Sequence, residues 1–120
     1  MITPVFRIFD VEKALDFYEA FLGFQVDWTH RFGEEMPEYI QISLQDNVIH
    51  LSEHHGDAAP GSTVRVDMKD IKSFHTTLKN KEYHFSNPSL EDTPWGTVEF
   101  KVVDPFYNTL IFFEGKEGEG

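Results

Sequence analysis

The spacing of hydrophobic residues changes from strand-like to helical and back along the first half of the chain. TPVFRIF (3–9) alternates as a strand does, and from position 11 apolar residues recur every three or four positions, as on an amphipathic helix. Asp10 precedes this helix, where a carboxylate caps the first turn, and Gly23 follows it, where helices end. Three strand-like runs come next: FQVDWTHRF (24–32), EYIQISLQ (38–45) and NVIHLSE (47–53).

The second half of the chain has the same order of elements. It begins after HHGDAAPGS (54–62), a linker by its Gly and Pro content. NPSLEDTPWG (87–96) is typical of a long polar loop. The pattern predicts a strand, a helix and three strands: STVRVDM (62–68), KDIKSFHTTLKNK (69–81), YHFS (83–86), GTVEFKVV (96–103) and TLIFFE (109–114).

The two halves can be aligned on each other. Asp10 matches Asp70 at the helix starts, and Asn47 matches Asn108 before the last strands. The offset along the chain is nearly the same for both pairs, which indicates a duplicated module. We therefore predict a single domain, residues 1–120, built from two tandem βαβββ modules. Their approximate limits are 3–54 for module one and 62–114 for module two.

Two motifs at opposite ends of the chain resemble the vicinal-oxygen-chelate superfamily, which includes glyoxalases, extradiol dioxygenases and bleomycin-resistance proteins. FRIFDVEKALDFYEAFLGF (6–24) looks like its strand–Asp–helix opening. VVDPFYNTLIFFE (102–114) looks like its closing hairpin, with Tyr107 where the family usually has Gly. HLSEHHGD (50–57) and PWG (94–96) look most like the bleomycin-resistance-type branch. The resemblance implies an α+β fold whose curved mixed β-sheet forms a cup with the helices outside.

Metal-dependent members of this superfamily take ligands from the first and last strand of each module. The resemblance places these four positions at Thr3, His50, Thr63 and Ile111, of which only His50 is a good ligand. A divalent ion needs about three converging protein groups. The resemblance therefore implies that the metal site is lost, and we predict no metal and no cofactor.

The histidines that follow His50 raise a separate question. If the strand continues through residue 54, His50 and His54 lie about 13 Å apart at Cα, too far to share a metal ion. His54 and His55 are then the polar end of a strand. His50 projects onto the concave face, either as a ligand contact or as a satisfied interior histidine.

Arg65 and Trp95 are two further candidates for ligand contact. Strand alternation places Arg65 on the concave face, where it needs a carboxylate partner such as Glu99 or else contacts a ligand or anion. Trp95 lies in a loop flanked by Gly and Pro, which borders the binding groove in the branch that this chain resembles. Its indole either stacks on a planar ligand or anchors the loop or a dimer contact.

Aromatic residues concentrate on one face of the second strand, where Trp28, His30 and Phe32 alternate, and Tyr39 follows. They form the core, an interface or a pocket wall. These alternatives stay open at the level of sequence. The candidate ligand-binding residues are therefore His50, Trp95, Arg65, Trp28, Phe32 and Tyr39.

No catalytic residue is assigned. The chain has no cysteine, no GxSxG motif and no phosphate-binding loop. Proton transfer by His50 with Glu53 or Glu99 remains an open possibility.

The net charge, the apolar runs and the aromatic content of the chain limit the kinds of partner that it is expected to have. The formal net charge of −11 over 120 residues disfavours nucleic acid. No apolar run is as long as a membrane span and the N-terminus has no signal-peptide pattern, so we expect a cytoplasmic protein without membrane contact. Twelve Phe, four Tyr and two Trp are many aromatics for a small domain to bury. Aromatic surface and unpaired sheet edges favour a homodimer.

These observations favour a small-molecule-binding protein that resembles bleomycin-resistance proteins. It would sequester a cationic, planar drug or related ligand without chemistry, because its acidic surface attracts cations. One alternative is a metal-dependent lyase of the glyoxalase type or a dioxygenase of the same superfamily. Another is a non-catalytic dimeric interaction module.

Overall fold

The computed structural model describes residues 1–31, 33–81 and 88–116, and the predicted strand at 83–86 lies outside them. The first module contains β1 (Val5–Arg7), α1 (Val11–Leu15) with a π-helical extension (Asp16–Phe21), β2 (Gln25–Arg31), β3 (Glu38–Leu44) and β4 (Asn47–Ser52). The second module contains β5 (Thr63–Asp67), α2 (Ile71–Asn80), β6 (Glu91–Asp92), β7 (Thr97–Val103) and β8 (Thr109–Gly115).

Each module builds its own four-stranded sheet, in the order β1-β4-β3-β2 in the first and β5-β8-β7-β6 in the second. In both sheets the first strand pairs with the last in parallel, and the other pairs are antiparallel. A parallel pair needs a crossover connection, which contains the helix in each module. The predicted α+β class and the two tandem βαβββ modules are confirmed.

One short strand differs from the prediction. The segment 87–96, predicted to be a polar loop, contains β6, whose Glu91 and Asp92 pair with Glu99 and Val98 of β7. The loop prediction is wrong at these two positions. A two-residue segment is too short to show alternation along the sequence. Its pairing with β7 is what makes it a strand.

The core lies between the helices and one face of each sheet. Alternation predicts that Ile49 and Leu51 of β4, and Leu110 and Phe112 of β8, point toward the helices, and all four are buried. The helical segments contribute apolar residues to the same core: Ala14, Phe17, Tyr18, Phe21, Ile71 and Leu78. The opposite, open face carries Trp28, Tyr39 and His50 in the first sheet and Arg65 in the second. Within the described residues, no helix is both long and apolar enough to cross a membrane.

The first helix begins and ends as predicted. The Asp10 carboxylate accepts a hydrogen bond from the backbone N–H of Lys13 at 3.0 Å. Gly23 has φ +86°, the left-handed conformation that commonly follows a helix. Between them the second half is π-helical, and the backbone N–H of Leu22 donates to the carbonyl of Phe17 at 3.0 Å. Apolar spacing alone does not distinguish such a segment from an α-helix.

The two modules are joined by reciprocal hydrogen bonds from equivalent turn residues. Asn47 Nδ2 donates to the carbonyl of Asp67 at the end of β5, and Asn108 Nδ2 donates to the carbonyl of Arg7 at the end of β1, each at 2.9 Å. Each asparagine therefore donates a hydrogen bond to a backbone carbonyl of the other module. This reciprocity agrees with the duplication that the sequence alignment of the halves indicates.

We expect Asp10→Ala to lower the free energy of unfolding by about 1 kcal/mol, because it removes the side-chain acceptor at the start of α1. Asp70 at the matching position is the control. It has φ +58° and makes no side-chain cap bond, and Glu114 accepts the backbone N–H groups of Asp70 and Ile71 instead, each at 3.1 Å. Asp70→Gly should leave stability nearly unchanged. Urea denaturation measures both changes, and equal losses would contradict the assignment.

Candidate functional site

A β-bulge in β2 brings two consecutive residues to the open face of the first sheet. Val26 pairs with Ile42 and Trp28 pairs with Gln41, which leaves Asp27 as the extra residue. Asp27 hydrogen-bonds to Gln41, and Trp28 lies over the neighbouring strand on the same face. Strict alternation would have placed Asp27 and Trp28 on opposite faces, so the bulge is what gathers them.

A chain of hydrogen bonds, which we call the Tyr39–Asp27 relay, crosses this face. Tyr39 Oη lies 2.8 Å from His50 Nδ1, and His50 Nε2 lies 2.9 Å from Gln41 Oε1. Gln41 Nε2 donates to Asp27 Oδ2 at 3.0 Å, and Ser43 Oγ donates to Asp27 Oδ1 at 2.9 Å. Both ring nitrogens of His50 are therefore engaged by other side chains of the sheet.

Three rings pack together on this face, and we call Trp28, Tyr39 and His50 the module-one aromatic cluster, of which Tyr39 and His50 also belong to the relay. The rings of Trp28 and Tyr39 are nearly parallel, at 13° with centroids 6.1 Å apart. His50 meets both edge-on, with its centroid 5.4 Å from Trp28 and 5.1 Å from Tyr39. Trp28 is nevertheless 43% exposed. The cluster thus presents an ordered indole to solvent.

The surroundings of the cluster shift the pKa values of His50 and Tyr39. Burial lowers the pKa of the His50 imidazole, which favours its neutral form. The pKa of Tyr39 is raised, first by burial and then by the negative charge of Asp57. Asp57 is held in place by Ser52, whose hydroxyl donates to its carboxylate at 2.7 Å. Near neutral pH the cluster therefore carries an uncharged imidazole and an uncharged phenol beside a carboxylate.

A second cluster occupies the open face of the other sheet. Arg65 Nη2 donates to Glu99 Oε2 at 2.5 Å, and its guanidinium lies 4.6 Å from the centroid of the Phe113 ring. Glu99 Oε2 also accepts from Trp95 Nε1 at 3.2 Å and from Thr97 Oγ1 at 2.7 Å. The hydrogen bond from Arg65 is the main cause that lowers the pKa of Glu99. Glu99 is thus the carboxylate partner expected for Arg65, and it also positions the indole of Trp95.

The structure divides the sequence candidates by module. Trp28, Tyr39 and His50 contact one another on the first sheet, whereas Arg65 and Trp95 meet at Glu99 on the second. Phe32 lies outside the described residues. A depression of about 290 Å³ adjoins the second group and is lined by Ser89, Glu91, Glu99, Phe100, Lys101 and Ile111.

The positions that bind metal in metal-dependent relatives do not fit an ion here. His50 lies beside Val5 and Gln41 on the neighbouring strands, and Ile111 lies beside Arg65 and Lys101, so these cross-strand neighbours supply no imidazole or carboxylate ligand. Thr63 pairs with Thr109, two residues away from Ile111. In the part of the chain that the structure describes, no three His, Asp or Glu side chains are grouped to hold a metal ion.

Sequence reasoning missed the polar residues that orient the aromatic cluster. Gln41 alternates with Tyr39 in β3, so the strand pattern was sufficient to place it on the open face. Asp27 reaches Gln41 only because of the bulge, and Asp57 lies in the predicted linker and folds back to Ser52. No local signal in the sequence indicates either contact.

Comparisons with known proteins agree with this architecture. A family model described as "Glyoxalase superfamily protein" matches residues 1–119. A search of curated proteins found no significant match. Similar solved structures include a bleomycin-binding protein complexed with bleomycin, which is 21% identical with a TM-score of 0.72 over 97% of this chain and 98% of that chain.

Two further solved structures are similar over nearly their whole length. TnmS3, an antibiotic binding protein from Streptomyces sp. CB03234, is 21% identical with a TM-score of 0.68 over 97% of each chain. A glyoxalase-related enzyme from Clostridium phytofermentans is 22% identical with a TM-score of 0.73 over 95% of this chain and 93% of that chain. At such identities these structures show the shared fold, which hosts both binding proteins and an enzyme. The family model spans both modules, and the chain belongs to the glyoxalase superfamily.

Proposed function

We propose that this chain binds a planar, cationic small molecule and sequesters it without chemistry. The observation that carries the proposal is the partly exposed indole of Trp28, held nearly parallel to the ring of Tyr39. An indole that is already ordered offers a flat apolar surface at little further cost in side-chain entropy. Such a surface suits a flat aromatic ligand.

The charge distribution favours a cation as the ligand. The chain carries a net charge of −11, and the carboxylate of Asp57 lies close enough to Tyr39 to raise its pKa. On the second sheet the charge of Arg65 is balanced by Glu99, while Trp95 remains 65% exposed beside it. An exposed indole attracts a cation through its ring face, and the net negative charge of the chain adds to this attraction.

Two of the solved neighbours have descriptions that agree with this choice. One is described as a bleomycin-binding protein and another as an antibiotic binding protein. A metal-dependent lyase or dioxygenase has less support, because Thr63 and Ile111 are poor metal ligands, and among the described residues His50 is not grouped with two further His, Asp or Glu side chains. A non-catalytic interaction module remains the expectation if no small molecule binds to either aromatic cluster.

We further propose that the functional unit is a homodimer. β2 is the outer strand of the first sheet, and most of its residues are exposed. Exposed edge strands favour association unless another element covers them. A second copy would also cover the open faces and supply an opposite wall for a bound ligand. Light scattering at micromolar concentration tests this, and the mass of a single chain would contradict it.

Titration of bleomycin, followed by tryptophan fluorescence, is the direct test of function. We expect quenching with a dissociation constant that is micromolar or tighter, because both indoles lie on the proposed binding faces. The affinity should fall as salt is raised, since the attraction of a cation to an acidic surface is screened. Mass spectrometry should recover the drug unmodified. Absence of binding by bleomycin-type drugs, together with turnover of a glutathione thiohemiacetal, would contradict the proposal.

A further inference from the structure

The direction of the Tyr39–Asp27 relay is set at its Asp27 end, on the edge strand β2. An ionised carboxylate only accepts hydrogen bonds, so Asp27 receives one from Ser43 Oγ and one from the amide nitrogen of Gln41. The opposite orientation of the Gln41 amide would place its oxygen against the carboxylate. The amide oxygen of Gln41 therefore faces His50.

The tautomer of His50 follows from that orientation. His50 Nε2 lies 2.9 Å from the amide oxygen of Gln41, so Nε2 carries the hydrogen and donates it. Nδ1 of the neutral ring is then an acceptor, and it lies 2.8 Å from Tyr39 Oη. The hydroxyl of Tyr39 must donate to it. The only hydrogen of the phenol is thus used within the sheet, and its oxygen keeps acceptor capacity for a ligand.

The surroundings of Tyr39 favour a donor ligand group for a second, independent reason. The carboxylate of Asp57 acts on Tyr39 electrostatically. The ring of Trp28 stacks on that of Tyr39, and the ring of His54 lies 6.5 Å from that of Tyr39, between centroids. A group that approaches the phenol oxygen therefore meets an acceptor, a nearby negative charge and a flat indole.

We propose that Tyr39 is the specificity-determining residue of this face, and that its phenol oxygen accepts a hydrogen bond from an N–H group of a planar ligand stacked on Trp28. The ligand class is an aromatic ring that bears an amide, amidinium or protonated amine. Ligands of the same shape that carry only acceptors are discriminated against, because two acceptors then face each other. This inference rests on the proposed binding function and adds the chemistry that the face selects.

The test uses two uncharged probes with the same ring, naphthalene-2-carboxamide and methyl naphthalene-2-carboxylate. Only the carboxamide has N–H donors, so the comparison is independent of the overall charge of the protein. Backbone amide chemical shifts of module one report binding and its location. We expect the wild-type protein to bind the carboxamide about three- to tenfold more tightly than the ester, the range expected for one neutral hydrogen bond. Tyr39→Phe keeps the ring and should bring this ratio to about one.

Asp27→Asn provides a variant that changes the relay and leaves Tyr39, His50 and Trp28 in place. An asparagine amide can donate to Gln41, which allows the Gln41 amide to turn and the hydrogen of His50 to move to Nδ1. Tyr39 then accepts from His50 and points its own hydrogen outward, so the preference between the probes should shift toward the ester. Asp46→Asn removes the same charge from the exposed turn between β3 and β4 and should leave the ratio unchanged.

The imidazole tautomer gives a readout that needs no ligand. Long-range ¹H–¹⁵N spectra should show His50 protonated at Nε2 in the wild-type protein and at Nδ1 in Asp27→Asn. Protonation at Nδ1 in the wild type would overturn the inference. Binding of both probes with a ratio that Tyr39→Phe does not alter would also overturn it, while the proposed binding function would stand. If neither probe shifts any amide of module one, the inference is overturned, while the bleomycin titration decides the proposed function separately.

Discussion

Replacing Asp104 with alanine is expected to lower the free energy of unfolding by roughly 3 kcal/mol or more, because it leaves several buried donors without an acceptor. Asp104 is buried in the hairpin turn between β7 and β8. Its Oδ1 accepts the backbone N–H groups of Phe106 and Asn108, each at 2.8 Å. Its Oδ2 accepts the hydroxyl of Tyr18 at 2.7 Å and the side-chain amide of Asn108 at 3.0 Å.

The size of this effect reflects the position of Asp104 between the modules. Tyr18 belongs to the π-helical segment of module one, and Asn108 also donates to the carbonyl of Arg7 in β1. The carboxylate therefore organises the turn of module two and a contact with module one at the same time. Urea denaturation measures the loss, and Asp67→Ala, at an exposed strand position, should change stability little. A similar loss in both variants would contradict the assignment.

Tyr18→Phe tests the same contact by its pH dependence. Burial raises the pKa of Tyr18 well above its usual value, and the charge and hydrogen bond of Asp104 raise it further. Above about pH 10 the unfolded chain loses the phenol proton before the folded chain does, so this residue makes stability fall as pH rises. The phenylalanine variant should be less stable at neutral pH by about 1–2 kcal/mol. The free energy of unfolding of this variant should also fall less steeply above about pH 10 than that of the wild-type protein.

Removing the indole of Trp28 is expected to weaken binding of a planar ligand roughly thirtyfold, which corresponds to about 2 kcal/mol of lost stacking and apolar contact. Trp28→Ala deletes the exposed surface of the module-one aromatic cluster, whereas Trp28→Phe keeps part of it and should lose less. Isothermal titration calorimetry with bleomycin is suitable, because it does not depend on the fluorescence of the deleted residue. The measured enthalpy and affinity can then be compared across variants.

Two further variants complete this comparison. Trp95→Ala should also weaken binding if one ligand contacts both sheets, since Trp95 is the exposed indole of the second cluster. Tyr107→Asn removes an aromatic side chain that is 78% exposed in a hairpin turn, and asparagine tolerates its φ of +70°. It should bind like the wild-type protein. Wild-type affinity in Trp28→Ala would refute the assignment of the binding face.

Part of the candidate site was predictable from local pattern and charge. Alternation placed Arg65 on an open position of its strand, and the need of a guanidinium for a carboxylate suggested Glu99, the partner that the structure shows. Alternation likewise placed His50 opposite the core face of β4, where Ile49 and Leu51 are buried. Their roles toward a ligand remain proposals.

The sequence by itself determined the two modules, the order of their elements and the residues that face the core. These features have short-range causes, namely a capping carboxylate at Asp10, a left-handed glycine at Gly23 and hydrophobic periods that bury one face of each element. The tertiary structure alone decided the bulge at Asp27, the relay that it anchors and the pairing of β6 with β7. These depend on which residues of different strands become neighbours, because strand register and long-range hydrogen bonds leave no periodic signal in the sequence.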